Sequence, residues 1–191
     1  MTGGAAPRDV LRRERTALVV VDLQEKLLPA IADRERVLRN GLLLLRMAHE
    51  LELPVVLTTQ YEKGLGPTVP EVRELAPCVT PVDKVAFGCF GSDAFRERLA
   101  GLPGRDQLLV AGIEAHICVA QTALGALGAG YQVHVAADAV GSRGAENRQI
   151  GLRRMERAGA VLSSAEMALY ELLARSDGAA FKRLLPYLKA D

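Results

Sequence analysis

Short, continuously apolar runs alternate along the chain with longer stretches whose apolar positions recur at helical spacing. The run Ala17 to Val21 lacks the alternation of a half-exposed strand, so it predicts a central parallel strand covered on both faces and ended by Asp22. From Arg36 to Leu51 the residues Val37, Leu38, Leu42, Leu45 and Ala48 fall on one side of an amphipathic helix. Pro54 separates it from a second strand, Val55 to Thr59. Residues 60–81 are polar and carry Gly64, Gly66, Pro67, Pro70 and Pro77, which predicts mostly loop, with a turn or two of helix near Val69 to Leu75. A brief strand, Val82 to Val85, then leads into FGCFGS, and Ser92 caps a helix through Leu99.

The next run of strand length is Gln107 to Ala111, which Gly112 is expected to break. Beyond it Val119, Ala123, Leu124 and Leu127 recur at helical spacing from Cys118 until Gly128 and Gly130. Tyr131 to Ala137 is a further β-rich run, followed by a helix to about Arg157, a strand Ala160 to Ser163, and helices Ala165 to Leu173 and Ala179 to Leu188. Strands separated by helices predict an α/β fold: a doubly wound, six-stranded parallel sheet of order 3-2-1-4-5-6 with helices on both faces, a Rossmann-like three-layer sandwich. In that order strands one and four are neighbours at the switch point, where such sheets place their sites. Asp22 ends strand one and Cys118 follows strand four, so two reactive groups distant in sequence are expected in one crevice.

Composition narrows the setting. At 191 residues, 49% hydrophobic and 25% charged, the chain suits one substantial core; residues 1–13 are expected to be a flexible arm and 14–191 a single domain. Lys plus Arg is 24 against 23 for Asp plus Glu, so no long-range field favours nucleic acid or an anionic membrane, and a small-molecule substrate is the expected partner. The run Ala17 to Val21 is far below the roughly 20 residues of a membrane span. A cytoplasmic location is expected, and three cysteines in this context fit reduced thiols better than a disulfide framework.

Cys118 at the start of a helix has unpaired backbone N–H groups beside it, which favours the thiolate. A packed, inert thiol is the bland alternative. Asp22 taken alone is as well explained by a turn carboxylate, and Lys84 by a snorkelling side chain, but a cation beside a thiol and a carboxylate would poise both. VVVDLQ at 19–24, DKVAFGCF at 83–90 and the stretch from Val110 to Arg143 closely resemble the isochorismatase-like cysteine hydrolase family, from Thr16 to about Leu173. TTQYEKGLGPTVPE at 58–71 is similar to the branch of isochorismatase domain-containing proteins. The resemblance implies a catalytic triad of Asp22, Lys84 and Cys118, an oxyanion hole from the backbone N–H groups of Glu114 and Cys118, and a cis peptide at Ile113-Glu114. It implies hydrolysis of a small amide-like C–N bond through a thioester, and a homodimer or larger homo-oligomer.

Departures from the family sharpen these expectations. Its metal-dependent amidases carry an Asp-x-His pair after the second strand, whereas residues 59–66 contain neither residue, so no catalytic metal and no cofactor are expected. His49 and His134 lack ligand spacing and are expected to be structural; His116, in the active turn, is a candidate substrate contact together with Gln24, Gln60, Tyr61 and Phe87. Asp138, Ser142 and Arg143 are expected to fix the loop after strand five, and Cys78 and Cys89 carry no expected role. Three alternatives compete. A non-catalytic or redox-sensing thiol protein is disfavoured by retention of all three triad types, and a vinyl ether hydrolase of the true isochorismatase type has no need of the thiol. A nucleotide-binding domain needs a glycine-rich turn that residues 22–28 lack.

Overall fold

Six strands and eight α-helices alternate through residues 10–188, the part of the chain described by the computed structural model. In order they are β1 (Thr16–Val21), α1 (Arg34–Glu50), β2 (Val55–Gln60), α2 (Glu62–Leu65), α3 (Pro70–Leu75), β3 (Val82–Lys84), α4 (Asp93–Ala100), β4 (Gln107–Ile113), α5 (Ala120–Gly128), β5 (Gln132–Gly141), α6 (Ala145–Arg157), β6 (Val161–Ser163), α7 (Ala165–Leu173) and α8 (Ala179–Leu188). A π-helical turn, Ala115–Val119, precedes α5, and 3-10 turns cover Leu28–Ala30 and Cys89–Gly91. The strands pair in parallel in the order β3-β2-β1-β4-β5-β6, the doubly wound arrangement. No helix among the described residues is long and apolar enough to cross a membrane.

The unbroken apolar strands are explained by burial on both faces. Ala17, Val19 and Val21 of β1 pack into one core with Phe95, Ala123 and Met155 from α4, α5 and α6, while Leu18 and Val20 pack into another with Val37, Leu44 and Leu169 from α1 and α7. Alternate residues of a strand point to opposite faces, so a strand feeding two cores must be apolar throughout. Each Leu or Val fully buried this way contributes about 1.5–3 kcal/mol over an exposed one.

Several boundaries differ from the sequence reading, each for a physical reason. Residues 1–9 of the expected arm lie outside the described residues, but Val10 to Arg13 are tied to the domain. Leu11 is buried and its N–H donates to Glu171, the Arg12 N–H donates to Gln107, and the Arg13 side chain donates to the Leu51 carbonyl. Gly112 does not end β4, which continues to Ile113. At φ +115° a Cβ there would fall 2.0 Å from the Val21 carbonyl oxygen, so glycine is what lets β1 and β4 approach each other.

β5 likewise continues past Ala137 to Gly141 through a bulge, the ladder passing from Val110↔Val135 to Gly112↔Val140. The extra backbone is satisfied by side chains: Arg36 and Asn40 donate to the Asp138 carbonyl and Arg148 to the Ala137 carbonyl. Asp138 thus lies inside the strand rather than after it, its carboxylate accepting from the Ala165 N–H that opens α7. The short α2 within the expected loop follows Tyr61, whose carbonyl accepts from the Gly64 and Leu65 N–H groups.

Candidate active site

β1 ends against Asp22, which holds a left-handed φ of +52°, a conformation Asp tolerates because its short side chain can bond locally. Its N–H donates to the Thr58 carbonyl, and the Thr58 hydroxyl donates to Asp22 Oδ1 at 2.7 Å. The other oxygen, Oδ2, accepts from Lys84 Nζ at 2.7 Å, and both side chains are wholly buried. Lys84 ends β3 directly opposite Gln60 in the ladder, and its Nζ also donates to Gln60 Oε1 at 2.8 Å. Three adjacent strands therefore each end on one member of a buried polar cluster.

The thiol arrives from the fourth strand. After β4 the Ile113-Glu114 peptide is cis, and the chain enters the π turn, where the Ile117 and Val119 N–H groups both donate to the Glu114 carbonyl. Such turns widen a helix and recur at functional sites because they re-aim a single side chain. Cys118 lies in this turn rather than at the first residue of a regular helix, and is 7% exposed. From behind, α6 presses on the turn. A Cβ on Gly151 would come within 2.8 Å of the Ala115 oxygen and the His116 Cα, so the close fit needs glycine.

The thiol's electrostatics reverse the expected thiolate. Burial pushes Cys118 up to about 12, the Asp22 carboxylate and its hydrogen bond to the thiol push in the same direction, and the Lys84 ammonium opposes them. Desolvation and a facing carboxylate outweigh the backbone N–H groups of a turn, two of which are already taken by the Glu114 carbonyl. A second thiol shares this environment: Cys89 is fully buried, its Sγ lies 3.9 Å from the Thr58 hydroxyl, its N–H donates to Thr122, and burial raises it to about 11. Both thiols are held toward the protonated form, so Cys118 would react as a nucleophile only after giving its proton to a base, and Asp22 is the carboxylate hydrogen-bonded to it.

The other candidate residues divide. Gln24 and Gln60, expected at the pocket mouth, are buried and engaged internally. The Gln24 amide accepts from the Gln60 N–H at 2.7 Å and donates to the Gln60 carbonyl at 3.2 Å and the Gly66 carbonyl at 2.6 Å, so it extends the ladder beyond the end of β1. Tyr61 and Phe87 are exposed, at 51% and 56%. His116 is half-buried with Nδ1 3.0 Å from the Ser142 hydroxyl. The Glu114 carboxylate accepts from the Arg143 N–H at 2.9 Å and pairs with its guanidinium. His49 is exposed on α1 and His134 buried in β5.

Thr58 and the structural use of Gln24 were missed. A threonine on an apolar strand reads as an ordinary β-former, and only its carboxylate neighbour reveals its part. Among the described residues no group of three or more His, Cys, Asp and Glu side chains is arranged to hold a metal ion.

The isochorismatase domain model matches residues 16–167. Isochorismatase domain-containing protein 2A of Mus musculus is 37% identical over 97% of this chain and 89% of its own. The secreted isochorismatase effector Isc1 of Phytophthora sojae is 36% identical over 91% of this chain and 84% of its own. Among solved structures, the MAR1 ribonuclease of Caenorhabditis elegans superposes with a TM-score of 0.89 at 33% identity, covering 95% of this chain and 93% of that one. YcaC of Escherichia coli, an octameric hydrolase of unknown specificity, superposes with a TM-score of 0.89 at 29% identity, covering 96% and 92%. The sheet order, the strand-end cluster and these similarities over nearly the whole length lead to one assignment: the chain belongs to the isochorismatase domain family.

Proposed function

We propose that the protein is a cysteine-dependent hydrolase that cleaves a C–N bond in a small amide-like substrate through a thioester on Cys118. The observation that carries this reading is the hydrogen-bonded, buried grouping of Asp22 with Lys84 and with the Cys118 thiol at the carboxyl ends of β1, β3 and β4. Asp22 takes the thiol proton as the sulfur attacks the carbonyl carbon, and the carbonyl electrons move onto oxygen, where the Glu114 and Cys118 N–H groups receive the charge. The intermediate collapses, the C–N bond breaks and the amine leaves with the proton from Asp22. Water then gives a proton to Asp22 while its oxygen attacks the thioester, and release of the acid returns the thiol. Lys84 supplies a positive charge to the site, and His116, in the same turn as Cys118, with the exposed Tyr61 and Phe87 are the candidates to line the approach.

The raised thiol speaks against a redox sensor, whose cysteine depends on thiolate character and access. A total of 24 basic against 23 acidic residues supplies no net positive field for a nucleic acid backbone, which favours this reading over a ribonuclease activity like that named for the C. elegans relative. We further propose a cytoplasmic homo-oligomer, supported by free thiols among the described cysteines and by the octameric YcaC. A screen of small amides, ureides and carbamates for ammonia release, with Cys118→Ala as control, tests the activity. Turnover in which Cys118→Ala matches the wild type would overturn it.

A further inference from the structure

Among the described residues Gln60 is the one neutral group bonded to the Lys84 ammonium, and its amide cannot turn away. Oε1 accepts from Lys84 Nζ at 2.8 Å while Nε2 donates to the Val85 carbonyl at 2.9 Å. A flipped amide would set two donors against each other at the ammonium and two acceptors at the carbonyl, so the orientation is fixed by the network. The backbone of Gln60 is fixed in turn by the Gln24 amide, which meets both its N–H and its carbonyl. A chain of hydrogen bonds thus runs from Gln24, three residues past the end of β1, through the end of β2, to the ammonium ending β3.

We propose that Gln60 is a positioning residue that pins the Lys84 ammonium beside Cys118 in every protonation state of the site, with Gln24 as its support. This rests on the reading of Cys118 as the nucleophile. The chemistry asks for such a group. When Asp22 takes the thiol proton it becomes neutral, and its hold on the ammonium weakens at the moment the sulfur becomes negative and needs the cation in place. An amide oxygen does not titrate in this range, so it holds the ammonium before and after transfer. It is also uncharged, so it leaves the positive charge available to the sulfur, which a carboxylate at this position would cancel.

The three cysteines provide a test that needs no substrate. Cys118 is the reporter of the site, Cys78 is exposed and reports the reagent, and Cys89 is fully buried and reports loosening of the fold. The full-length wild type, Gln60→Met and Gln60→Glu are treated with iodoacetamide at pH 8 and each cysteine is followed by peptide mass spectrometry. The expected result is a Cys118 rate about tenfold or more below wild type in both variants, the size typical of a lost supporting partner, with Cys78 unchanged and Cys89 protected. Gln60→Met removes the acceptor; Gln60→Glu keeps its shape and adds the opposing charge.

A Cys118 rate within about twofold of wild type in Gln60→Met, with Cys89 protected, overturns the proposal. Should Gln60→Met label Cys89, Gln60→Glu decides: a slowed Cys118 with protected Cys89 supports the proposal, and an unchanged Cys118 overturns it. Labelling of Cys89 in both shows that Gln60 supports the fold and not the ammonium, and overturns it as well. Alkylation requires no turnover, so a blank ammonia screen bears on the hydrolase reading alone.

Discussion

Lys84 Nζ and Asp22 Oδ2 lie 2.7 Å apart with neither side chain exposed. Removing two charges from water costs several kcal/mol each, so such a pair is a poor device for stability alone; here each partner also has a second neighbour, Thr58 for the carboxylate and Gln60 for the ammonium. Breaking it should be costly. Lys84→Met is expected to destabilise the protein by about 3–5 kcal/mol, while adding Asp22→Leu recovers part of the loss because no lone charge stays buried. Urea unfolding of Lys84→Met and of the double variant checks this, and a double variant no more stable than Lys84→Met would contradict it.

Cys118→Ala should abolish turnover and leave the far-UV circular dichroism unchanged, since a buried thiol replaced by a methyl group removes the proposed nucleophile and little packing. Cys78→Ala and Cys89→Ala should keep most activity. The assay is ammonia release on whichever amide the screen identifies, and a comparable loss at either of those positions would point to the wrong thiol.

Stability should fall as pH rises above about 9. The ordinary thiol value is 9.0, and folding raises Cys89 to about 11 and Cys118 to about 12. Between those values the unfolded chain has shed protons that the folded chain keeps, so each unit of pH favours unfolding. Denaturant midpoints at pH 8 and pH 10.5 measure the drop. The drop should be smaller in Cys89→Ala and in Cys118→Ala, and equal drops in all three proteins would remove these thiols as its source.

Gly112→Ala should cost more stability than an ordinary glycine-to-alanine change, beyond about 1 kcal/mol, because φ is +115° and the new Cβ would meet the Val21 oxygen at 2.0 Å. The strand that must move is the one ending on Asp22, so the Cys118 alkylation rate should change with it. Thermal unfolding together with iodoacetamide labelling reads both, and a wild-type melting temperature would refute the close-approach account.

Activity, once found, should survive EDTA, because residues 59–66 lack the Asp-x-His pair of the metal-dependent amidases. Loss on chelation with recovery on adding zinc or iron would reverse this.

What the sequence by itself determined is whatever depends on the period of apolar residues and on chain order. The continuous run Ala17 to Val21 marked β1 as central, the helical spacing placed α7 and α8 at their observed bounds, and the alternation of strands and helices led to the order β3-β2-β1-β4-β5-β6. That order alone brought Asp22 and Cys118 to one crevice, because a parallel doubly wound sheet collects its strand ends. Tertiary structure decided what depends on a partner across the sheet. Whether Gly112 ends a strand or admits its neighbour turns on the distance to Val21, and whether Gln24 and Gln60 face a pocket or each other turns on where β1 stops relative to β2. The protonation of Cys118 is decided the same way, since burial and the facing carboxylate belong to the folded assembly and outweigh the local backbone that a sequence can show.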